Sequence, residues 1–576
     1  MLLNSRACAF PFVAPLAAGI LCALAGCGGE KDDSQQARKD GRPPVVDLLE
    51  LMPESAVTAV ATPSIRDLED RAEAFLVRAS PKSINMEAEI AVIVQQLGQV
   101  LQVPNARTLD DIAFEKGFDS ERPMALFVRA DHPSQMVRDR DSDIARPDPG
   151  AEGWEALPSI PDEDFLESAA LAVYVLDSEI AEQSVQKWLG DSASNPDEVE
   201  IDGIIVHSKR GEKWAYFFHD DLLVFGADTI VAGIVDCVSR PTPIRYGSAD
   251  CPADPTDTLI QITRLDRLDA ASRYDQNEAA SELPDTVAGA ATEVLDSLRT
   301  LIEGQDPLIC IYRVTDSKLD VLARLDREKY PAIAELRGPT RGLTHLGYLP
   351  EDSVAVLSWR FDGTLREMVL NALQNALAND APADTPFASM QNSLGETLQL
   401  LQGDMTLAVA GDAAGKAKLM LLADVSDGER ARAQLRAAGL MPIVSETYNG
   451  VDICVLPIPV PTGDGMTYAL PENTLVLSTD LARLKTLIDI RTQGGQTQWV
   501  THLDPALRPD GQLFTALVVD PDALGKVVLP ELEARQTVDP ASAEVAETAW
   551  ENIRELRYTS QVNGIWQEGR LTVTTR

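Results

Sequence analysis

Met52-Pro53-Glu54-Ser55-Ala56-Val57-Thr58-Ala59-Val60 has a second version in the same chain, Leu349-Pro350-Glu351-Asp352-Ser353-Val354-Ala355-Val356-Leu357. The two lie 297 positions apart (349 − 52). In each, a proline that supplies no amide precedes an apolar run, the pattern of a strand entered from a turn. The echo continues at the same offset, Leu97-Gly98-Gln99-Val100-Leu101-Gln102 answering to Leu394-Gly395-Glu396-Thr397-Leu398-Gln399. Further on the offset falls. Ile201-Asp202-Gly203-Ile204 answers to Tyr448-Asn449-Gly450-Val451 at 247 (448 − 201), 222–228 to 474–480 at 252 (474 − 222), and 308–314 to 556–562 at 248 (556 − 308). A repeat period that drops from 297 to about 250 locates an insertion in the first copy, between residues 102 and 201. The acidic, proline-interrupted stretch at about 131–168 is that insertion, and its composition suits a solvated loop.

The expected architecture is α+β: two tandem homologous domains, each a largely antiparallel sheet with helices packed on one face. The first repeat covers 45–326 and the second 343–576, with a linker at 327–342. Each opens on a strand (57–62; 354–359) followed by two helical stretches, at 365–378 and 390–402 in the second copy. Two apolar strands follow (124–128 and 170–176; 405–410 and 419–424), then a helix (180–190; 429–439), three short strands and a further helix (229–237; 481–490). A strand (259–263; 513–519), a helix (287–303; 543–555) and a hairpin (308–326; 556–575) close each half. Strands pass almost directly into helices at Asp177, Asp228, Asp427, Asp480 and the run Asp520-Pro521-Asp522, where short acceptor side chains satisfy the first helical amides.

The chain has 576 residues, a net charge of −40 and 45% hydrophobic residues. That is ample for packed cores. The charge excludes nucleic acid as a partner, since phosphate binding needs clustered Lys and Arg. Solubility is the simplest reading of such an excess, and capture of a cationic or protein partner is the sharper one.

The first 29 residues hold one charge, Arg6, and an apolar run over 10–25 that closes on Leu24-Ala25-Gly26-Cys27. This is a secretory h-region and not a membrane span. Leu-Ala-Gly-Cys resembles the lipobox of bacterial lipoproteins. The resemblance implies a signal peptide at 1–26, cleavage before Cys27 and lipid attachment to its sulfur. The polar stretch 27–44 then serves as a tether, reaching on the order of 50 Å when extended. By analogy, Gly28 after the cysteine favours the outer membrane over the inner, with the body facing the periplasm or the cell surface. The opening Leu/Met-Pro-Glu-(Ser/Asp)-x-Val of both halves resembles uncharacterised bacterial envelope proteins grouped under a domain of unknown function, whose motif is Leu-Pro-Ala-Asp-Thr/Ser. That likeness brings no catalytic residues with it.

Of seven cysteines, Cys8 and Cys22 leave with the signal. Cys237 and Cys251 bracket a proline-rich loop and form a candidate disulfide, worth about 3 kcal/mol in an oxidising periplasm. Cys310 and Cys454 lie in apolar runs as buried thiols. The five histidines form no ligand spacing. A hairpin turning at Arg210-Gly211 sets His207 against Trp214 and His219 against about Asp202, so the two share no metal. Asp139, Asp141 and Asp143 alternate as calcium-loop carboxylates do, but Ile144 and Gly150 stand where such a loop needs Gly and Glu. A surface acidic loop is the better reading and no metal is assigned. Ser184 and Lys187 fit S-x-x-K without the companion motifs of that chemistry. Trp154, isolated in the insertion, is a candidate partner contact, its alternative a loop side chain folded back on its own domain. With no catalytic constellation and no cofactor motif, the expectation is a non-enzymatic binding or scaffold protein. A periplasmic hydrolase or lipid-handling enzyme with a dispersed site, and a carrier of apolar cargo, remain the alternatives.

Overall fold

The computed structural model describes residues 44–80, 85–100, 103–129, 168–188, 196–209, 212–239, 257–264, 308–326, 343–361, 366–367, 399–411, 415–437, 443–456, 466–493, 513–534, 550–563 and 566–576. The signal, Cys27, the tether up to residue 43, the insertion up to 167, the linker, the helix expected at 287–303, all but 366–367 of the one expected at 365–378 and 390–398 of the one expected at 390–402 lie outside them. The protein is α+β, a largely antiparallel sheet with helices. Its described residues fall into two compact units, 44–264 with 308–321, and 322–326 with 343–576.

The first unit is built on β1 (Thr58–Thr62), β2 (Met124–Val128), β3 (Ala169–Tyr174), β4 (Asp197–Ile201), β5 (Ile204–Ser208), β6 (Trp214–His219), β7 (Leu222–Ala227), β8 (Leu259–Thr263) and β9 (Leu308–Thr315), with β10 (Lys318–Asp326) crossing the division. In space the order is β10-β9-β8-β1-β2-β3-β7-β6-β5-β4. The central strands MALFV, AALAVY and LLVFGA are almost wholly buried. Successive side chains of a strand point to opposite faces, so such runs need cover on both.

That cover comes from six helices: α1 (Pro44–Leu49), α2 (Ile65–Ala79), α3 (Met86–Val100), α4 (Leu109–Lys116), α5 (Ser178–Trp188) and α6 (Asp228–Ser239). Ile65 and Leu68 of α2, Val94 of α3, Ile112 of α4 and Val185 of α5 share a core with Leu126, Leu171, Val173, Tyr216, Leu223 and Phe225. The alternate residues Ala59, Ala125, Phe127, Ala172 and Val224 are equally buried but face the other way. There α1 lies along β1 and β2, and α6 along β3, β5, β6 and β7. The expectation of helices on one face is therefore wrong. The sheet is sandwiched, because its centre has no polar face to show to water.

The second unit holds β11 (Ser353–Phe361), β12 (Leu401–Gly411), β13 (Ala417–Val425), β14 (Ile443–Tyr448), β15 (Val451–Leu456), β16 (Met466–Ala469), β17 (Thr474–Ser478), β18 (Leu513–Val519), β19 (Ile553–Asn563) and β20 (Trp566–Thr575). Their order is β20-β19-β18-β11-β12-β13-β17-β16-β15-β14, the first list with ten added to each number. A 3-10 helix (Thr344–Tyr348), α7 (Gly428–Ala437), α8 (Leu481–Gln493) and α9 (Pro521–Ala534) accompany it. Leu346 of the 3-10 helix and Leu484, Leu487 and Ile488 of α8 pack on Val356, Ala408, Met420 and Leu422. Ala431 of α7 packs on Ala423, Val425 and Leu475, on the opposite face.

Turns coincide as well as strands. Ala56 N donates to Pro53 O at 3.1 Å and Ser353 N to Pro350 O at 3.2 Å. The hairpin corners Asp202-Gly203 and Asn449-Gly450 have φ of 51° and 86°, and of 52° and 79°. Asp220 and Glu472 sit at 51° and 53°.

Several expected boundaries move. Four strands, not three, separate the two helices of each unit, because 197–208 and 443–456 are complete hairpins. Of the helix expected at 543–555, 543–549 lie outside the described residues, Trp550 and Glu551 are helical, and β19 starts at Ile553, where pairing with β20 claims the backbone. Leu401 and Gln402 belong to β12 and not to a helix.

Candidate functional site

One polar cluster in each unit stands out among the described residues. In the first, Thr108 caps α4 by accepting from Asp111 N, while the Asp111 carboxylate accepts from Thr108 N. Glu69 reaches this helix start from α2, and its two oxygens accept from Leu109 N at 2.9 and 3.1 Å. Beside it, Asp110 takes Ser120 Oγ at 2.6 Å and both ends of the Arg66 guanidinium, Nε at 3.2 Å. Arg66 also pairs with Glu121. Arg66, Glu69, Thr108 and Asp110, with Asp70, Glu73 and Glu87, line a depression of about 200 Å³. Burial pushes the Glu69 carboxyl up to about 7 against the Leu109 bond, and neighbouring acids add to the rise. It is a carboxyl able to exchange a proton near neutrality in an anionic setting.

In the second unit the cluster lies beneath the 3-10 helix. Arg360 of β11 and Asp404 of β12 are opposite one another, both buried, with N···O of 2.8 Å. Asp404 also accepts from Thr344 N at 2.5 Å and Thr344 Oγ1 at 2.7 Å. The next pair along the same face, Ser358 and Thr406, join hydroxyls at 2.7 Å. His345, fully buried, sets Nε2 3.2 Å from Asp424 Oδ1. That contact is off the line of a hydrogen bond and is electrostatic, and Nδ1 finds no partner among the described residues. Burial pushes the Asp424 carboxyl up, but His345, the Asp404 amide and Arg491 outweigh it and hold it below the usual range.

The sheet registers show what stands at the same places in the first unit. Leu48 corresponds to His345, Ala61 to Ser358 and Pro63 to Arg360, all at 297 (345 − 48). Ala61 faces Ala125 as Ser358 faces Thr406. One strand further, Ala125 faces Ala172 as Thr406 faces Leu422. Pro123 and Tyr174 therefore correspond to Asp404 and Asp424. Six positions without a charge in one unit form a charged, hydrogen-bonded set in the other.

The residues singled out from sequence are not brought together among those the structure describes. Asp139, Asp141, Asp143, Trp154, Cys27 and Cys251 lie outside the described residues. Cys237 is half-buried near the end of α6, its thiol pushed up by burial. Cys310 is half-buried, its thiol pushed up by burial to about 11, and Cys454 is buried. His207 does not face Trp214. It faces Tyr216 and stacks on it, ring centroids 4.6 Å apart, while His219 faces Leu222 across the β6–β7 turn. The β5–β6 register is shifted by two residues from the expected one, which keeps the same faces together but changes each partner. Ser184 is buried and Lys187 exposed on α5. No group of three or more metal-ligating side chains occurs among the described residues. No helix among them is long and apolar enough to cross a membrane. The second cluster was missed although a signal existed: Ser358, Arg360, Asp404 and Thr406 interrupt the inward phase of two alternating strands.

No protein-family model and no curated protein matches the chain. Among solved structures, crystal forms IV and III of TP0453 align with TM-scores of 0.24 and 0.23, each at 8% identity. They cover 41% and 40% of this chain, and 82% and 91% of theirs.

Proposed function

We propose that this protein is a lipid-anchored bacterial envelope protein whose body is a duplicated α+β domain serving as a binding or scaffold module. The observation that carries the reading is the repetition of framework without repetition of polar groups. Ten strands in one order, the Pro53 and Pro350 turns and the two positive-φ corners recur. The His345 cluster does not, and the Glu69 cluster has no counterpart among the described residues. A duplicated domain that keeps its scaffold and diverges in its polar interior suits recognition by surfaces, with function residing in sites grafted on a common fold.

Leu24-Ala25-Gly26-Cys27 supports the anchor, and the outer membrane is the favoured location, with the body facing the periplasm or the cell surface. The charge of −40 supports a protein or cationic partner and no nucleic acid. In a bacterial host fed radiolabelled palmitate, the wild-type chain is expected to take up label and the Cys27→Ala variant to take up none. An unlabelled wild-type chain would end the anchor reading.

A hydrolase is the second reading, favoured by one feature: a buried histidine set 3.2 Å from a carboxylate, His345 on Asp424, the latter 31% exposed. Ester turnover by the purified chain that disappears in His345→Gln, with folding intact, would establish it in place of the first.

A further inference from the structure

The two units end on different kinds of edge strand. In the second unit the edge is β14, and its pairing with β15 is broken by a bulge between Val444 and Glu446. Glu446 is itself held by Lys485, N···O 2.6 Å. Bulges and occupied charges blunt an edge against further pairing. The corresponding edge of the first unit, β4, has no bulge, and its Glu198 and Glu200 carry no ion-pair partner among the described residues. Its five residues pair with β5 in unbroken register and, among the described residues, with no other strand.

Turn geometry shows which backbone groups this edge offers. Asp202-Gly203, both at positive φ, is a two-residue corner closing on Ile201 opposite Ile204. In such a hairpin the pair beside the turn exchanges both of its hydrogen bonds, and pairs then alternate. Residues 197, 199 and 201 therefore direct their backbone groups to β5. Glu198 and Glu200 direct theirs outward. Both side chains are exposed, without an ion-pair partner among the described residues, and share a face with Ile205, which is 51% exposed. Val199, 47% exposed, offers apolar surface on the opposite face.

We infer that β4 is a docking edge that takes up an extended cationic segment of a partner protein as an added strand. The inference rests on the binding-module reading. The outward N–H and C=O groups of Glu198 and Glu200 supply the main-chain bonds, and alternate Lys or Arg side chains of the incoming strand lie over the two carboxylates. Charge decides the occupant. A second copy pairing antiparallel about Val199 would set Glu198 against Glu200, and an acidic strand would meet the same repulsion. The carboxylates that repel a copy select a cation.

The test uses the full chain and a fluorescent peptide of about nine residues alternating Lys and Val, followed by anisotropy. Its control has the same charge with proline at each Val, and cannot add to a sheet. The first variant is Glu200→Pro, which removes an outward amide and no bond to β5, a placement edge strands tolerate. The second is Glu198→Lys with Glu200→Lys, which leaves every backbone group in place. Expected results are binding of the Lys-Val peptide by the wild-type chain, weakening of about tenfold or more in each variant, and no binding of the proline peptide. Equal binding of both peptides would reduce the effect to adsorption on an anionic surface and overturn the inference. So would absence of binding, or variants that bind like wild type. None of these outcomes touches palmitate labelling at Cys27, so the anchor reading stands or falls separately.

Discussion

Arg360 and Asp404 are the residues whose removal would be felt most. Both are buried and each answers the charge of the other. Truncating one partner strands a buried ion, which costs far more than the pair contributes. Asp404→Ala is expected to lower stability by about 3–5 kcal/mol, and replacement of both by apolar residues of similar volume by much less. Urea denaturation of the two variants makes the comparison. Glu69 behaves oppositely, because its environment resists its charge. Its carboxyl rises from 4.5 in an open chain to about 7 in the fold. Between those values the native state holds more protons than the unfolded one, so this group's stabilisation is complete below about pH 4.5 and is lost as pH rises through 7. Glu69→Gln is expected to flatten that decline and to stabilise the chain at pH 8 by about 1–2 kcal/mol, a figure discounted for partial exposure. An unchanged slope in a pH series of melts would show that Glu69 is not the titrating group.

Helix starts are where local chemistry and fold agree most closely. The Asp177 side chain accepts from Glu179 N and Ile180 N, Asp228 from Thr229 N, Asp427 from Arg430 N and Asp480 from Arg483 N. In the run 520–522 the cap is Asp520, accepting from Ala523 N, while Asp522 serves Lys526 and Arg576. Asp427→Ala is expected to destabilise the second unit by about 1 kcal/mol and Asp427→Asn by much less, measured by the same denaturation. Caps and corners are short-range devices, which is why β2, β8 and β18 were legible to the residue. What escaped depends on long-range partners. Helices on both faces follow from burial of alternate residues in β2, β3 and β7, and an apolar run does not say how many layers cover it. The helix expected through Glu555 gave way because pairing along β20 outbid local propensity. Arg360 meets Asp404 44 positions away (404 − 360), and Glu69 meets Leu109 40 away (109 − 69). Neither spacing belongs to any motif.

Across the whole molecule the dominant quantity is the charge of −40. Like charges on so acidic a surface repel within a Debye length, and salt shortens that length. Raising NaCl from about 20 to 500 mM is expected to lift the melting temperature by about 5 °C, read by scanning calorimetry. A fall would mean that attractive ion pairs outweigh the repulsion. On the duplication reading, the six positions of the His345 cluster and their counterparts in the first unit also carry a history. An arginine at 360 without an aspartate at 404, or the reverse, strands a buried charge, so the pair is neither gained nor lost one residue at a time without a large loss of stability. Whichever unit departed from the other, 360 and 404 are expected to have changed together, and reconstruction of ancestral sequences would check this by showing the two charges present or absent as a pair.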